Sequence, residues 1–260
     1  MNAPAPGTVG SWSGTLQFLA QRGLRAGAFI DIGCADGHHG LFALLSGFLP
    51  AAQLVNIDAN PVYEPSLRRI QSVVGGHYRI SAVSDQAGTV EFHGSAHPYW
   101  ASAVSADDDY WTSINGQRGE ATVIGCQTLD VLLADMALVP PYIIKLDIQG
   151  LEAAALRGAA ATLPNTAVVI CEMLIGEFNP LHSLLAERGF DLFDITNLHR
   201  TQAGTLGWFD GVYLHRAFAG LVPRETWAAE HNAEVIRLQE ERRRGVLAGI
   251  DELLALVRRG

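Results

Sequence analysis

Lysine is nearly missing from this chain of 260 residues: every basic residue but one is arginine, and the exception is Lys145. With 18 basic against 27 acidic residues the net charge is −9. That is a poor basis for holding a phosphate backbone or an anionic membrane, both of which need a basic face. Cysteine is also scarce. Cys34, Cys126 and Cys171 form neither a C-x-x-C spacing nor an even disulfide framework, so a reducing compartment is expected. Long apolar runs are missing too. The longest, about Leu41 to Val55, is broken by Gly47 and Pro50 and is too short for a bilayer. Met1 to Ser13 lacks the basic start and apolar run of a secretory signal, and a cytoplasmic location is the expectation.

What is present is apolar, mixed and sizeable. With 48% hydrophobic and 17% charged residues the chain can bury a large core. Strand-like runs at 28–32, 54–58, 78–83, 142–147, 167–172, 190–195 and 211–215 alternate with helical patterns. That alternation predicts an α/β fold, a doubly wound and mostly parallel seven-stranded sheet closed by an antiparallel hairpin. Shorter strands are expected at Thr89–Phe92 and Ala121–Gly125. Residues 94–119 have no clear period and hold His97, Tyr99, Trp100, Tyr110 and Trp111; a lid or binding loop is expected there. A helical pattern fills 223–259, with Val235, Leu238, Val246, Ile250, Leu253, Leu254 and Val257 largely on one side. It packs on its own domain or makes a homo-oligomer contact. The expected boundaries are an N-terminal segment 1–26, a catalytic domain 27–218 and a C-terminal helical extension 219–260.

The chemistry gathers at Asp31-Ile32-Gly33-Cys34-Ala35-Asp36-Gly37-His38. A strand delivers an acid, and small residues then turn the chain toward a helix so that a ligand can lie against the backbone. The glycine rhythm is not the G-x-G-x-x-G of nicotinamide enzymes. Asp31 would repel a pyrophosphate and attract an amino group, which favours S-adenosylmethionine, cationic and free of phosphate. Asp58 ends the next strand, where an acid can accept both hydroxyls of a ribose.

These residues and four further blocks resemble the FkbM family of S-adenosylmethionine-dependent methyltransferases, from about Phe29 to Glu172. The opening block is Phe29 to Gly37. The others are Asp58-Ala59-Asn60-Pro61; Ala82-Val83-Ser84-Asp85 followed by Gly88; Thr128-Leu129-Asp130; and Ile144-Lys145-Leu146-Asp147-Ile148-Gln149-Gly150-Leu151-Glu152. Position 149 is Gln where the family usually has Glu, and position 34 is Cys where Ala is usual. The resemblance implies a class I methyltransferase, Rossmann-like. It places Asp31, Gly33, Ala35 and Gly37 at the methionine end and ribose, with Asp36 also among the cofactor-binding residues, Asp58 and Asn60 at the ribose and adenine edge, and Ser84 or Asp85 at the adenine amine. Asp147 would lie near the sulfonium.

Lys145 and Asp147 share a strand face. Lys145 either pairs with Asp147 or Asp130, or orients Asp147, or acts as a base once burial lowers its pKa. Glu152 opens the following helix as a cap charge or lines the pocket. Glu172 ends a strand on the acceptor side, and His199 is a base candidate in a loop. O-methylation of a small natural product or sugar is expected, with Asp147 or Glu172, aided by a histidine, taking the proton. These acids could also hold a divalent cation such as Mg²⁺, although no metal-ligand spacing is visible. The competing readings are a nicotinamide-dependent oxidoreductase and a non-catalytic binding protein that kept the fold. A small hydroxylated acceptor is what the resemblance alone implies; the net charge of −9 and the lack of a basic, aromatic-interleaved stripe disfavour a nucleic acid.

Overall fold

A computed structural model describes residues 10–45, 47, 49, 52–95, 101–102, 118–201, 203–222, 233 and 236–245. Two compact units divide the chain, Met1–Val222 and Pro223–Gly260. In the first, a seven-stranded sheet is built from β1 (Ala28–Ile32), β2 (Gln53–Asp58), β3 (His77–Ile80), β8 (Tyr142–Leu146), β9 (Thr166–Leu174), β10 (Phe190–Arg200) and β11 (Leu206–His215). The order across the sheet is β10-β11-β9-β8-β1-β2-β3. The five strands from β9 to β3 are parallel, and β11 joins them antiparallel with β10 beyond it.

The apolar runs dictate this arrangement. All of β1 is buried, and β8 and β9 are buried along most of their length, as central parallel strands covered on both faces must be. On one face pack α1 (Trp12–Gln21), α2 (His38–Leu45) and α3 (Glu64–Val74), whose Leu16, Leu19 and Ala43 meet Phe29, Leu54 and Val168. The other face takes α4 (Leu129–Leu133), α5 (Glu152–Arg157) and α6 (Phe178–Glu187), through Leu132, Leu156 and Leu185. α1 starts where the Ser11 side chain accepts a hydrogen bond from Gly14 N. It lies in the stretch for which the sequence offered no element.

Strand order reverses between β1 and β8. The chain winds outward through β2 and β3 on one side, and through β8 and β9 on the other. In open α/β sheets the ligand crevice lies at such a switch point, beyond the strand C-termini.

Three expectations change. The run 78–83 is not one strand. It breaks at Ser81, whose N–H donates to Asp58 O at 2.9 Å. Ala82–Val83 (β4) then pairs with β7 (Arg118–Gln127) in a second sheet of order β4-β7-β5-β6, with β5 Gly88–Ser95 and β6 Ala101–Ser102. The helix expected over 151–163 ends at Arg157 with Gly158 as its C-cap, where a Cβ would lie 2.2 Å from the Ser84 carbonyl oxygen. The third concerns His199, which lies on β10 rather than in a loop.

The proposed lid aromatics His97, Tyr99, Trp100, Tyr110 and Trp111 lie outside the described residues. In the second unit residues 236–245 are helical, and Leu238, the one member of the apolar stripe described there, is 50% exposed. Among the described residues no helix is long and apolar enough to cross a membrane.

Candidate active site

The turn after β1 is shaped by contact with the end of β8. Gly33 has φ +78°, and a Cβ there would stand 1.8 Å from Asp147 O, so only glycine fits. Gly33 N and Cys34 N donate to Ile57 O at 2.9 and 3.2 Å, and Asp147 N donates to Ile32 O at 3.0 Å. Three strand ends are thereby tied together. The Asp58 carboxylate closes the turn, accepting Ala35 N on one oxygen and Asn60 N on the other, both at 2.8 Å. Burial raises its pKa against the pull of these two bonds.

A cavity of about 740 Å³ opens here. Gly33, Ala35, His38 and His39 wall it on the turn side, and Asp58, Asn60 and Ser81 to Val83 on the β2 side. Phe92, Thr122 and Ile124 come from the second sheet, and Asp147, Gln149, Glu172, His199 and Trp208 from the far strands.

Of the residues expected at the cofactor, Gly33, Ala35, Asp58, Asn60 and Asp147 line this cavity, and Asp31, Asp36, Gly37, Ser84 and Asp85 do not. Asp36 is turned to His38, accepting from its backbone N–H and contacting Nδ1 at 2.6 Å. Gly37 lies against Ile70 and Leu67. Ser84 is buried and Asp85 pairs with Arg157 at 3.3 Å, and the cavity wall is formed one step earlier in the chain, at Ser81 to Val83.

Asp31 sits beneath the turn, fully buried, and neither carboxylate oxygen has a hydrogen-bond partner. It lies in register between Asn56 and Lys145. Burial lifts its pKa to about 6, with Lys145 pulling it down.

Lys145 does not reach the cavity; 3% exposed, it donates from below to Asp147 at 3.0 Å. Its expected service as a base fails on charge. Burial does push its pKa down, but Asp147, Asp31 and Asp210 outweigh that and raise it, so the ammonium keeps its proton. Asp130 is engaged elsewhere, accepting Ala161 N, Thr162 N and the Thr162 hydroxyl.

Asp147 is held from two sides. Burial pushes its pKa up, but Lys145 and the Gln149 amide hold it below the usual carboxylate range, so it is ionised. Gln149 Nε2 donates to Asp147 at 3.1 Å and to Glu172 at 2.6 Å, bridging the two acids. The sequence marked position 149 only as a departure from a family pattern, and nothing in it revealed the bridge. Glu172 goes the other way: burial, then Asp147, Glu152 and Asp210, push it to about 9, so it is protonated at neutral pH.

Glu152 is buried and lies outside the cavity wall, its oxygens accepting Ile148 N at 3.0 Å and Gly150 N at 2.9 Å. This clamp fixes the loop on which Gln149 stands at φ +54°. Glu152→Gln sets an amide NH₂ against one of the two N–H groups. It is expected to lower stability by about 1–3 kcal/mol, read from denaturant unfolding.

His199 faces Trp208 across the β10–β11 pair, their rings stacked 4.7 Å apart and 9° from parallel. Trp208 and the second-sheet wall went unread in the sequence, because hairpin register brings them to the site. Among the described residues no group of three or more His, Cys, Asp or Glu side chains is placed to hold a metal ion. Asp147 and Glu172, the acids proposed for Mg²⁺, are bound to Lys145 and Gln149 instead.

Residues 35–192, more than half of the chain, match the profile of the methyltransferase FkbM domain. The chain belongs to the FkbM methyltransferase family. No curated protein matches it. Among solved structures, methyltransferase FkbM from Methylobacillus flagellatus KT is 15% identical over 73% of this chain, with a TM-score of 0.43. This FkbM chain spans 44% of that protein's length. The precorrin-6y C5,15-methyltransferase from Geobacter metallireducens GS-15 is 10% identical, with 76% of this chain and 86% of that one covered and a TM-score of 0.38. TrmK of M. capricolum, solved with S-adenosylhomocysteine, is 8% identical, with 78% and 67% covered and a TM-score of 0.39.

Proposed function

We propose that this FkbM methyltransferase transfers a methyl group from S-adenosylmethionine to a hydroxyl of a small molecule. The observation that carries this reading is one cavity at the switch point, with Asp58 at one end and Asp147, Glu172 and His199 at the other. The residues fit the cofactor's charge. Asp31, unpartnered and buried below the turn, and ionised Asp147 favour a cation. No Lys or Arg is among the described residues lining the cavity, so a pyrophosphate would find no cationic partner there.

When bound, S-adenosylmethionine supplies a methyl group already activated by its sulfonium. The chain's own work is then to align the acceptor and take its proton. Asp58 accepts the ribose hydroxyls beside Asn60. Glu172, protonated, donates a hydrogen bond to the acceptor and helps to aim it. His199 takes the hydroxyl proton and, being exposed, passes it to water. The C-terminal extension serves a subunit contact in the same proposal, and size-exclusion chromatography of a chain lacking 223–260 tests that part.

The pH profile tests the role of Glu172. Glu172→Gln keeps a neutral group in place, so kcat at pH 7 is expected to fall less than about tenfold, and the feature near pH 9 disappears. A loss of about 10²–10⁴-fold at pH 7 would make Glu172 the base instead. Stability follows the same group. Its folded pKa lies above the ordinary 4.5, so its contribution is complete below about 4.5 and is lost as pH rises through about 9. The variant is expected to unfold with a flatter alkaline dependence.

A further inference from the structure

The wall of the cavity away from Asp58 carries information about what the enzyme methylates. Register across β11 and β9 pairs Trp208 with Leu174 and Asp210 with Glu172, so the four side chains share one face of the sheet. Trp208 stacks on His199, both rings line the cavity, and His199 is exposed. Such a pair is a platform for a second flat face. Beside it stands Glu172, tied to Asp147 through the Gln149 amide.

Cations are the missing element. The cavity wall holds Asp58, Asp147 and Glu172, and none of its described residues is Lys or Arg. Between Arg79 and Arg157 the whole chain offers only Arg118 and Lys145. Lys145 is buried and bonded to Asp147. Apart from the cationic groups of the bound cofactor itself, an incoming carboxylate or phosphate would meet acids without a counter-charge from the described wall.

We propose that the acceptor subsite takes an uncharged, hydroxyl-bearing ring, laid on the Trp208–His199 pair with a hydroxyl at Glu172, and refuses acceptors that carry a carboxylate or phosphate. This rests on the methyltransferase reading above and adds the class of its substrate. The same field that lifts Glu172 to about 9, made by burial and by Asp147, Glu152 and Asp210, is the field an anionic acceptor would meet. Trp208 is the specificity-determining residue, because it supplies the apolar face that a neutral ring covers.

The test uses the full chain saturated with S-adenosylhomocysteine, whose own affinity is measured first by calorimetry. Two matched pairs are then titrated by saturation-transfer NMR: para-hydroxybenzamide against para-hydroxybenzoate, and methyl glucoside against methyl glucuronide. In at least one pair the neutral member is expected to bind, with its anion at least about tenfold weaker. The pair that responds tells an aromatic acceptor from a sugar. Trp208→Ala should abolish neutral-ring binding with S-adenosylhomocysteine affinity unchanged, and Trp208→Phe should retain it, separating loss of the stack from loss of the fold. The proposal is overturned if the anions bind as well as their partners, if neither neutral ring binds, or if Trp208→Ala leaves ring affinity intact. Should S-adenosylhomocysteine itself not bind, the methyltransferase reading fails, and the same pairs titrated into the free chain still decide the charge preference.

Discussion

Replacing His199 with alanine lowers kcat by about 10²–10⁴-fold and leaves the affinity for S-adenosylmethionine unchanged. The other histidines and carboxylates that line the cavity are bonded elsewhere, protonated or too weak as bases. His39, packed against the Trp12 ring, is pushed by burial to about 4 and is too weak a base at neutral pH. His38 is turned to Asp36. Asp58 is committed to two backbone N–H groups and Asp147 to Lys145 and Gln149. Glu172 holds its proton. His199 remains, exposed where a proton can leave to water. Steady-state kinetics beside calorimetry reads both halves of the prediction. A variant with wild-type kcat would place proton removal on another group, or show that the acceptor arrives already ionised.

Asp58→Ala should weaken S-adenosylmethionine by about ten- to a hundredfold, the worth of a hydrogen bond or two to a charged partner. The same carboxylate holds Ala35 N and Asn60 N, and Ala35 stands at φ +49°, so part of the loss comes from a relaxed turn. Asp58→Asn separates the two effects. It keeps an acceptor for one N–H and removes the charge, and its melting temperature reports on the turn while calorimetry reports on the ligand. Unchanged affinity in a folded Asp58→Ala protein would take the ribose away from this carboxylate.

The residues that were readable in the sequence are those whose position follows from chain order. β1, β2, β8 and β9 are apolar runs, and their acids Asp31, Asp58, Asp147 and Glu172 lie within two residues of the strand ends, where an open parallel sheet puts its ligand. Depth was not readable. Asp31 stands one residue before its strand ends and is wholly buried, whereas Asp58, on the last residue of its strand, reaches the cavity. Lys145 was picked out by its rarity, but the upward shift of its pKa is set by Asp147 and then by Asp31 and Asp210, the last two brought near it by other strands of the sheet. Gln149 shows the same limit, because its two carboxylate partners come from the end of β8 and from β9. Ser81 hid a change of sheet inside what reads as one strand, since a single hydrogen bond to Asp58 O turns the chain there. Trp208 and His199 meet only through the irregular register of β10 and β11.

Every role assigned to the cavity depends on where the nucleoside lies. A crystal structure of the full chain with S-adenosylhomocysteine is expected to show the ribose hydroxyls bonded to the Asp58 carboxylate, the adenine toward Ser81 to Val83 and the thioether toward Asp147. Density for the ligand at any other place, or a cavity that takes up NAD and leaves S-adenosylhomocysteine in solution, would contradict it.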